Sequence, residues 1–293
     1  MNIGKGGFFM KIKEKILFTD LDGTLLDDQK NISRENIENI ETALRGGHKI
    51  VVTTGRPLVS AIAQSKSLGL AHEGCYAIAF NGSCIYDFSK NKVVYSVQFP
   101  REYLRIVFDE AHKAGLHVQT YCDHGILSER ENESLKRYSQ VTKVSYEIVD
   151  DVTTALDSDP YKIIVMDYHD KNRLYDFQDH IAPMIEGKLQ SFFSCDWYLE
   201  FTAPGISKGN AVRHLCQILD IPLENSVAVG DAENDIAMLD TAAVGAVMSN
   251  AENDIKQHGN YITEADNNHS GVAEVIRKFI LSPSNETPRR SGQ

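Results

Sequence analysis

Short apolar runs without polar alternation are each followed by a helical pattern, and this arrangement recurs along the chain. The first run ends at Phe18, and Ile37, Ile40 and Leu44 then fall on one face of a predicted helix. Continuous apolar runs are typical of strands in parallel sheets that are buried on both faces. The repeated strand and helix units predict an α/β fold with a doubly wound, Rossmann-like parallel sheet. Further runs of this kind lie at residues 49–56, 76–82 and 226–230.

The distances between the runs predict a second, inserted domain. Little more than one helix and one strand separates Asp22 from Thr54, whereas a much longer stretch separates Thr54 from Lys208. After the neighbouring core elements are set aside, roughly a hundred residues remain, which is a plausible domain size. Strand patterns at 92–99, 116–122 and 161–168 and a helical pattern at 101–115 occur in this stretch. We predict an α+β cap domain at 85–189, inserted into a core formed by 10–84 and 190–282, with poorly ordered tails at 1–9 and 283–293.

Acidic and hydroxyl side chains stand where the predicted core strands end. Asp20 and Asp22 follow the first run, Thr54 follows the second and Asp231 follows the last. Because ligands of open α/β sheets bind beyond the carboxyl ends of the strands, we expect these side chains to lie together. Several aspartates in one crevice repel one another at neutral pH, and a hard divalent cation relieves that repulsion. The pattern therefore predicts a magnesium site at Asp20, Asp22 and Asp231.

A later helical pattern begins with a lysine. Ala211, Val212 and Leu215 form part of its apolar stripe, Ser207 can cap its first turn, and Lys208 lies in that turn. A cation is unfavourable at a helix N-terminus, which already carries partial positive charge. An anion bound there would make the arrangement favourable, so we predict that Lys208 binds a phosphate.

The composition of the chain limits the classes of binding partner and the cellular compartments that we expect for it. The net charge of −11 disfavours nucleic acid and anionic membrane surfaces as partners. No apolar run is long enough for a membrane span or a secretory signal, so we expect a protein that neither spans a membrane nor is exported. The five scattered cysteines match neither a disulfide framework nor a zinc site, which favours the reducing cytoplasm.

Together these residues supply the parts of a phosphoryl-transfer site: a carboxylate nucleophile, a metal, a hydroxyl donor and a lysine. The segments "DLDGT" at Asp20–Thr24, "TTGR" with Thr54, Lys208, and "GDAEND" at Gly230–Asp235 resemble, in order, the four motifs of the haloacid dehalogenase-like superfamily. Three smaller segments resemble its Cof-type subfamily (subclass IIB), bacterial hydrolases of small phosphorylated metabolites: Asn81–Gly82, Ser207–Ala211 and Met248–Ala251.

The resemblance implies a role for each motif residue. Asp20 would attack phosphorus to form an aspartyl-phosphate, and Asp22 would protonate the leaving alcohol and later deprotonate the hydrolytic water. Mg²⁺ would be bound by Asp20, by the backbone carbonyl of Asp22 and by Asp231. Asp235 would not bind the ion directly but would lie in its second coordination shell. The residues that would bind the phosphate are Thr54, Gly55, Lys208 and Asn234.

The resemblance also implies a reaction, with alternatives. The reaction would be magnesium-dependent hydrolysis of phosphomonoesters, with sugar phosphates or similar small metabolites as substrates, by a monomer or a small homo-oligomer. A phosphomutase of the same superfamily is the nearest alternative, because the core motifs do not separate transfer to water from transfer to a second hydroxyl. A phospho-accepting receiver would be shorter and would lack Asp22, and the complete motif set argues against a non-catalytic metabolite binder.

Overall fold

The computed structural model describes residues 13–282, whose strands form one sheet of eight and one sheet of six. The tails predicted at 1–9 and 283–293 lie outside the described residues. In chain order the strands are β1 (Ile16–Thr19), β2 (Lys49–Thr53), β3 (Cys75–Ala79), β4 (Cys84–Asp87), β5 (Lys92–Ser96), β6 (His117–Cys122), β7 (Gly125–Ser128), β8 (Tyr146–Ile148), β9 (Ile163–Met166), β10 (Gln190–Cys195), β11 (Tyr198–Thr202), β12 (Ser226–Gly230), β13 (Val244–Val247) and β14 (Tyr261–Ile262).

Several helices begin where the sequence offers a cap. The Ser33 and Ser207 hydroxyls each accept a hydrogen bond from a backbone N–H of the first turn, at 3.1 Å in both cases. These are the caps of the first and seventh helices, as the sequence pattern predicts for Ser207. In chain order the helices are α1 (Arg34–Arg45), α2 (Leu58–Ser67), α3 (Arg101–Lys113), α4 (Glu133–Thr142), α5 (Val152–Ala155), α6 (Lys171–Ile185), α7 (Lys208–Ile218), α8 (Ile236–Thr241), α9 (Asn253–Lys256) and α10 (Gly271–Val275).

The eight-stranded sheet has the order β14-β13-β12-β1-β2-β3-β4-β5, and its strands from β14 to β3 run parallel. Side chains of β1 alternate between its two faces. Leu17 packs with residues of α1 and α10, whereas Ile16 and Phe18 pack with residues of α7 and α8. Helices therefore cover both faces, and the predicted doubly wound α/β fold is confirmed.

The six-stranded sheet has the order β10-β11-β9-β6-β7-β8 and is mostly antiparallel. One face packs against α3 and α6, through residues such as Val118, Val165 and Leu199. On the other face, Tyr121 and Ile164 belong to an apolar cluster that also contains residues of β3 and β4 from the first sheet. The two sheets therefore share a packed contact.

The strand pairing differs from the predicted domain bounds at three strands. The sequence pattern places residues 92–99 in the cap, whereas β5 pairs with β4 at the edge of the first sheet. The predicted core resumes at residue 190, whereas β10 and β11 pair with each other, and β11 pairs with β9 of the second sheet. Short hairpin connections keep β3, β4 and β5 adjacent, and an apolar pattern alone does not say which sheet a strand joins. We propose that the inserted domain lies between Ser96 and Ala203.

Within residues 13–282, no helix combines the length and the apolar character that a membrane crossing requires.

Candidate active site

The carboxyl ends of β1, β2 and β12 lie side by side in the first sheet, and the second sheet faces them across a cavity of about 620 Å³. Asp20 directly follows β1, and its N–H continues the pairing with β12 by donating to Val229 O at 3.0 Å. The predicted site residues that line the cavity are Asp20, Asp22, Thr54, Gly55 and Asn234.

Lys208, the first residue of α7, lies behind Asp20 and is almost completely buried. Its Nζ lies 2.6 Å from Asp20 Oδ1 and 2.6 Å from Asp235 Oδ1. Burial opposes the charge of Lys208, but the two carboxylates outweigh that cost and raise the pKa of the ammonium above its usual range. The lysine predicted to meet a phosphate is therefore already paired with two buried carboxylates.

Asp235 ties Lys208 to the loop after β12. Its second oxygen, Oδ2, accepts the backbone N–H groups of Asp231 at 3.0 Å and Ala232 at 3.1 Å. The side chain is completely buried. Both oxygens of Asp235 are thus engaged by protein donors, and the residue fixes the position of Asp231.

Three carboxylates converge beside Lys208. Asp20, Asp231 and Asp235 each place a carboxylate oxygen within 4.8 Å of the others. Burial raises the pKa of Asp20 to about 8; Lys208 opposes this rise, and the two neighbouring carboxylates add to it. Burial likewise raises the pKa of Asp231 to about 6, against the hydrogen bond from Thr24. This excess of negative charge and the all-oxygen donor set fit a hard divalent cation.

The turn after β1 brings Thr24 against Asp231. Thr24 Oγ1 donates to Asp231 Oδ1 at 2.6 Å. Gly23 adopts a φ of +81°, which favours glycine, and a Cβ placed on it would collide with Asp231 Oδ2. A glycine is therefore required by both the backbone conformation and the close approach of the two loops.

The side chain of Asp22 is bound by two cations and is not part of the group of three carboxylates. Arg56 holds it with both Nε, at 3.0 Å from Oδ2, and Nη2, at 2.9 Å from Oδ1, and Lys30 Nζ lies 2.8 Å from Oδ1. Burial opposes the charge of Asp22, but Arg56 and Lys30 outweigh it and hold the pKa below its usual range. Because β1 ends at Thr19, Asp20 and Asp22 are not alternate residues of one strand. The turn after β1, and not strand alternation, therefore sets the directions of the two side chains.

Thr54 directly follows β2 and is buried, and its N–H donates to Ile78 O at 2.9 Å. Its Oγ1 accepts the backbone N–H of Arg56 at 3.2 Å. A Cβ on Gly55 would lie 2.9 Å from Asn81 Oδ1, so this side chain packs directly against the glycine. Thr54 and Gly55 thus present a hydroxyl and a backbone segment at the cavity.

The chain is similar to known proteins over most of its length. A family model for haloacid dehalogenase-like hydrolases matches residues 17–276. The chain belongs to this family. A protein of Streptococcus pyogenes serotype M6 with the provisional name phosphatase M6_Spy0533 is 33% identical over 276 residues, which cover 92% of this chain and 99% of that protein. The predicted resemblance and the prediction of an enzyme of the phosphatase class are confirmed.

Two further relatives extend the match. The Bacillus subtilis protein YcsE, named 5-amino-6-(5-phospho-D-ribitylamino)uracil phosphatase, is 28% identical over 267 residues, which cover 91% of this chain and 96% of YcsE. A crystal structure of a haloacid dehalogenase-like hydrolase from Bacteroides thetaiotaomicron has a TM-score of 0.83 and 26% identity, and the match covers 91% of this chain and 99% of that one. The match to this solved structure spans both sheets of the hydrolase described here.

In this haloacid dehalogenase-like hydrolase, the predicted strand at 76–82 ends early. β3 stops at Ala79, and Phe80, Asn81 and Gly82 follow with φ values of 52°, 56° and 116°. Such values are costly for residues other than glycine and are typical of functional sites. The turn directs Asn81 into the cavity, where its Oδ1 accepts from Asn234 Nδ2 at 3.4 Å.

Two cavity residues of the second sheet, Lys162 and Glu200, are not among the site residues predicted from the sequence. Their side chains are buried and form an ion pair with an Nζ to Oε2 distance of 3.1 Å. A signal was present in the sequence, since each is a single charged residue beside or within an otherwise apolar strand. Their convergence on the hydrolase site depends on strands that are distant in sequence.

Proposed function

We propose that this hydrolase removes phosphate from small phosphorylated metabolites, sugar phosphates among them, with Mg²⁺ as its cofactor. The observation that carries the proposal is the buried contact of Lys208 Nζ with Asp20 Oδ1, beside the carboxylates of Asp231 and Asp235. Asp20 and Thr54 line the same cavity. A phosphoryl group bound there would meet a nucleophile, a cation and a hydroxyl donor.

The first step transfers the phosphoryl group to Asp20. A carboxylate oxygen of Asp20 bonds to phosphorus as the bond from phosphorus to the ester oxygen breaks, which gives an aspartyl-phosphate. Lys208 offsets the negative charge on Asp20 and on the phosphoryl group. The Thr54 hydroxyl and the Gly55 backbone, with Asn234 nearby, bind the phosphoryl oxygens.

Asp22 is proposed to supply and then accept the transferred proton. Arg56 and Lys30 favour its charged form, and a substrate phosphate that draws Arg56 away would raise the pKa of Asp22. Asp22 would then take up a proton from solvent and pass it to the leaving oxygen. The side chain of Asp22 is 39% exposed and can rotate without disturbing the core. In the second step a water molecule attacks phosphorus and Asp22 takes a proton from that water. The bond between phosphorus and the Asp20 oxygen breaks, so that phosphate is released and the carboxylate of Asp20 is restored.

The carboxylates are suited to hold Mg²⁺. Because Asp235 already binds Lys208 and two backbone N–H groups, we assign the ion to Asp20, Asp231 and the backbone carbonyl of Asp22, with Asp235 as support. When bound, Mg²⁺ would neutralise charge on the transferred phosphoryl group.

The cavity and a relative support the substrate class. Besides the site residues, the cavity is lined by aromatic and polar side chains of the inserted domain, among them Tyr138, Ser194 and Tyr198. Its volume of about 620 Å³ suits a small metabolite. The name of YcsE specifies a phosphate on a ribityl chain, which is a sugar-like substrate.

The test is phosphate release from sugar phosphates, nucleotides and cofactor phosphates, with Mg²⁺ and with excess chelator. We expect release that depends on Mg²⁺, and a loss of at least about a thousandfold in Asp20→Asn, because that variant lacks the nucleophile. Asp157→Asn, the same substitution at an exposed position, should behave as wild type. Release that persists in chelator, or in Asp20→Asn, would contradict the proposal, and activity only with a sugar bisphosphate would indicate a mutase.

A further inference from the structure

A buried ion pair of the second sheet contacts the loops that follow β2 and β3 of the first sheet. Lys162 precedes β9 and Glu200 lies in β11, and their exposed fractions are only 1% and 3%. Neither residue belongs to the four motifs. A buried ion pair costs desolvation and is weak grounds for a purely stabilising role. The other contacts of the two side chains therefore indicate what the pair does.

Lys162 reaches the loop that follows β2. Its Nζ donates to the backbone carbonyl of Gly55 at 2.8 Å. In a trans peptide unit the C=O and the following N–H point in opposite directions, so the N–H on the far side of this unit is that of Arg56. That N–H donates to Thr54 Oγ1 at 3.2 Å. One peptide unit thus connects the ammonium group of the second sheet to the hydroxyl of Thr54, and each hydrogen bond polarises the next.

Glu200 holds the neighbouring loop. Its Oε2 accepts from Asn81 Nδ2 at 3.0 Å, and its Oε1 accepts from Ser194 Oγ at 2.7 Å. Asn81 packs against Gly55 and accepts from Asn234. The ion pair therefore contacts two of the first-sheet loops that line the cavity, the loop after β2 and the loop after β3.

We propose that Lys162 and Glu200 are positioning residues for the phosphoryl contact made by Thr54. Because Thr54 Oγ1 accepts the N–H of Arg56, its own proton is directed elsewhere and is available to a phosphoryl oxygen. Lys162 fixes the Gly55–Arg56 peptide that imposes this direction, and Glu200 compensates the charge of Lys162 and secures Asn81. This inference rests on the proposed function, since it assumes a phosphoryl ligand at Thr54.

The test removes the pair without leaving one charge buried. Lys162→Met/Glu200→Gln replaces both side chains with neutral ones of similar size, and the glutamine can still accept from Asn81 or Ser194. Lys113→Met/Glu110→Gln is the matched control, because it removes a Lys–Glu pair of α3 with the same substitutions. Neither control residue lines the cavity.

The readout is a double-mutant cycle with Thr54→Val, in which kcat and KM are measured separately. We expect Lys162→Met/Glu200→Gln to lower kcat about 10- to 100-fold with KM changed less than about threefold. In the Thr54→Val background the same pair of substitutions should lower kcat less than about threefold, because the hydroxyl that they position is absent. An equal loss in both backgrounds, or no loss in either, would overturn the proposal.

Two further measurements keep the outcome interpretable. If circular dichroism shows that the Lys162→Met/Glu200→Gln variant does not fold, Lys162→Arg is used in its place. It keeps a positive charge opposite Glu200 but displaces the N–H group that donates to Gly55 O. It should lower kcat only in the background that retains Thr54. If wild type releases phosphate from no compound, the proposed function fails, and the same cycle is then run on vanadate affinity by calorimetry. Coupling of vanadate affinity to Thr54 would support the positioning role, whereas additive effects or no vanadate binding would overturn it.

Discussion

The three aspartates at the ends of β1 and β12 show how far the surroundings of a residue decide its chemistry. Burial raises the pKa of Asp20 and Asp231, and crowding by other carboxylates adds to the rise. Asp22, only two positions from Asp20, has a lowered pKa, because Arg56 and Lys30 outweigh its burial. Each shift is opposite to the one that the proposed role requires, because a nucleophile acts ionised and a general acid acts protonated. A cation held by Asp20 and Asp231 would lower the pKa of Asp20, and a substrate phosphate that draws Arg56 away would raise that of Asp22.

At the residue scale, Gly23→Ala is predicted to damage the site more than the fold. The φ of +81° is unfavourable for alanine, and the new methyl group would displace Asp231. We expect a loss of about 1–3 kcal/mol in the free energy of unfolding. We also expect at least a tenfold rise in the Mg²⁺ concentration needed for half-maximal activity, measured by metal titration, because Asp231 would be displaced.

Gly47→Ala provides the control for this prediction. Gly47 has a φ of +84°, but a Cβ there would meet no atom within 4 Å. The two variants should therefore lose similar stability, and only Gly23→Ala should change the metal requirement. Equal metal requirements in both variants would show that the close approach to Asp231 does not matter.

At the element scale, the first turn of α7 carries both a cap and the lysine that we propose to act in catalysis. Ser207 caps the helix, and Lys208 follows directly and joins α7 to the ends of β1 and β12 through Asp20 and Asp235. Gly82, from the turn after β3, approaches the carbonyl group of Ser207 so closely that a Cβ on it would collide. The helix terminus is thus fixed by its cap, by two carboxylates and by a neighbouring backbone segment.

Ser207→Ala should therefore affect both stability and catalysis. Loss of the cap should lower the free energy of unfolding by about 1 kcal/mol. Because fraying of this turn moves Lys208, we expect kcat to fall roughly threefold to tenfold, measured as phosphate release at saturating substrate.

Ser33→Ala is the matched comparison for the cap. Ser33 caps α1 with the same 3.1 Å hydrogen bond, but α1 carries none of the predicted site residues. It should lose comparable stability and keep its kcat. A similar fall of kcat in both variants would mean that general loosening, and not the position of Lys208, causes the effect.

At the scale of the whole molecule, the second sheet packs against the edge of the first sheet where the carboxyl ends of its parallel strands line the cavity. Phe80 stacks on Tyr161 with ring centroids 5.1 Å apart and contacts Tyr121 at 5.6 Å. The Lys162 contact with Gly55 adds a polar link between the two sheets. These contacts hold the second sheet against the loops that line the cavity.

The inserted domain also carries a buried imidazole that makes its stability depend on pH. His117 Nδ1 accepts from Asn132 Nδ2 at 2.9 Å, and its Nε2 lies 3.1 Å from Gln119 Oε1. Burial lowers the pKa of His117 to about 4, although Gln119 favours the charged form. A lowered folded pKa means that acid favours the unfolded chain, so the contribution of His117 to stability should fall as the pH drops from about 6.5 towards 4. At pH 5 this contribution should have fallen by about 2 kcal/mol, whereas the raised pKa values of Asp20 and Asp231 act in the opposite direction.

Urea unfolding at pH 7 and pH 5 checks this prediction, with fluorescence of Trp197, the single tryptophan, which lies between β10 and β11. On going from pH 7 to pH 5, the free energy of unfolding of His117→Gln should end about 2 kcal/mol higher, relative to its own value at pH 7, than that of wild type. The reason is that no imidazole is left to protonate. His169→Gln, at an exposed position, should leave the difference between the two pH values as it is in wild type. An unchanged difference in His117→Gln would contradict the assignment.

The sequence by itself determined the doubly wound sheet and the residues at its strand ends. Continuous apolar runs such as β1 and β12 are specified locally, and parallel strands necessarily bring their carboxyl ends to one edge. Asp20, Thr54 and Asp231 could therefore be placed together from the pattern alone. The cap of α7 at Ser207 is likewise a local signal.

Only the tertiary structure decided how the side chains share charge and which sheet each strand joins. The pairing of Asp22 with Arg56, of Lys208 with two aspartates, and of Lys162 with Glu200 depends on distances between residues far apart in the chain. The allocation of β5, β10 and β11 to their sheets has the same origin, because strand pairing is a nonlocal choice among segments with similar apolar patterns. Local sequence fixes what a segment can form, and packing between distant segments fixes what its side chains can do.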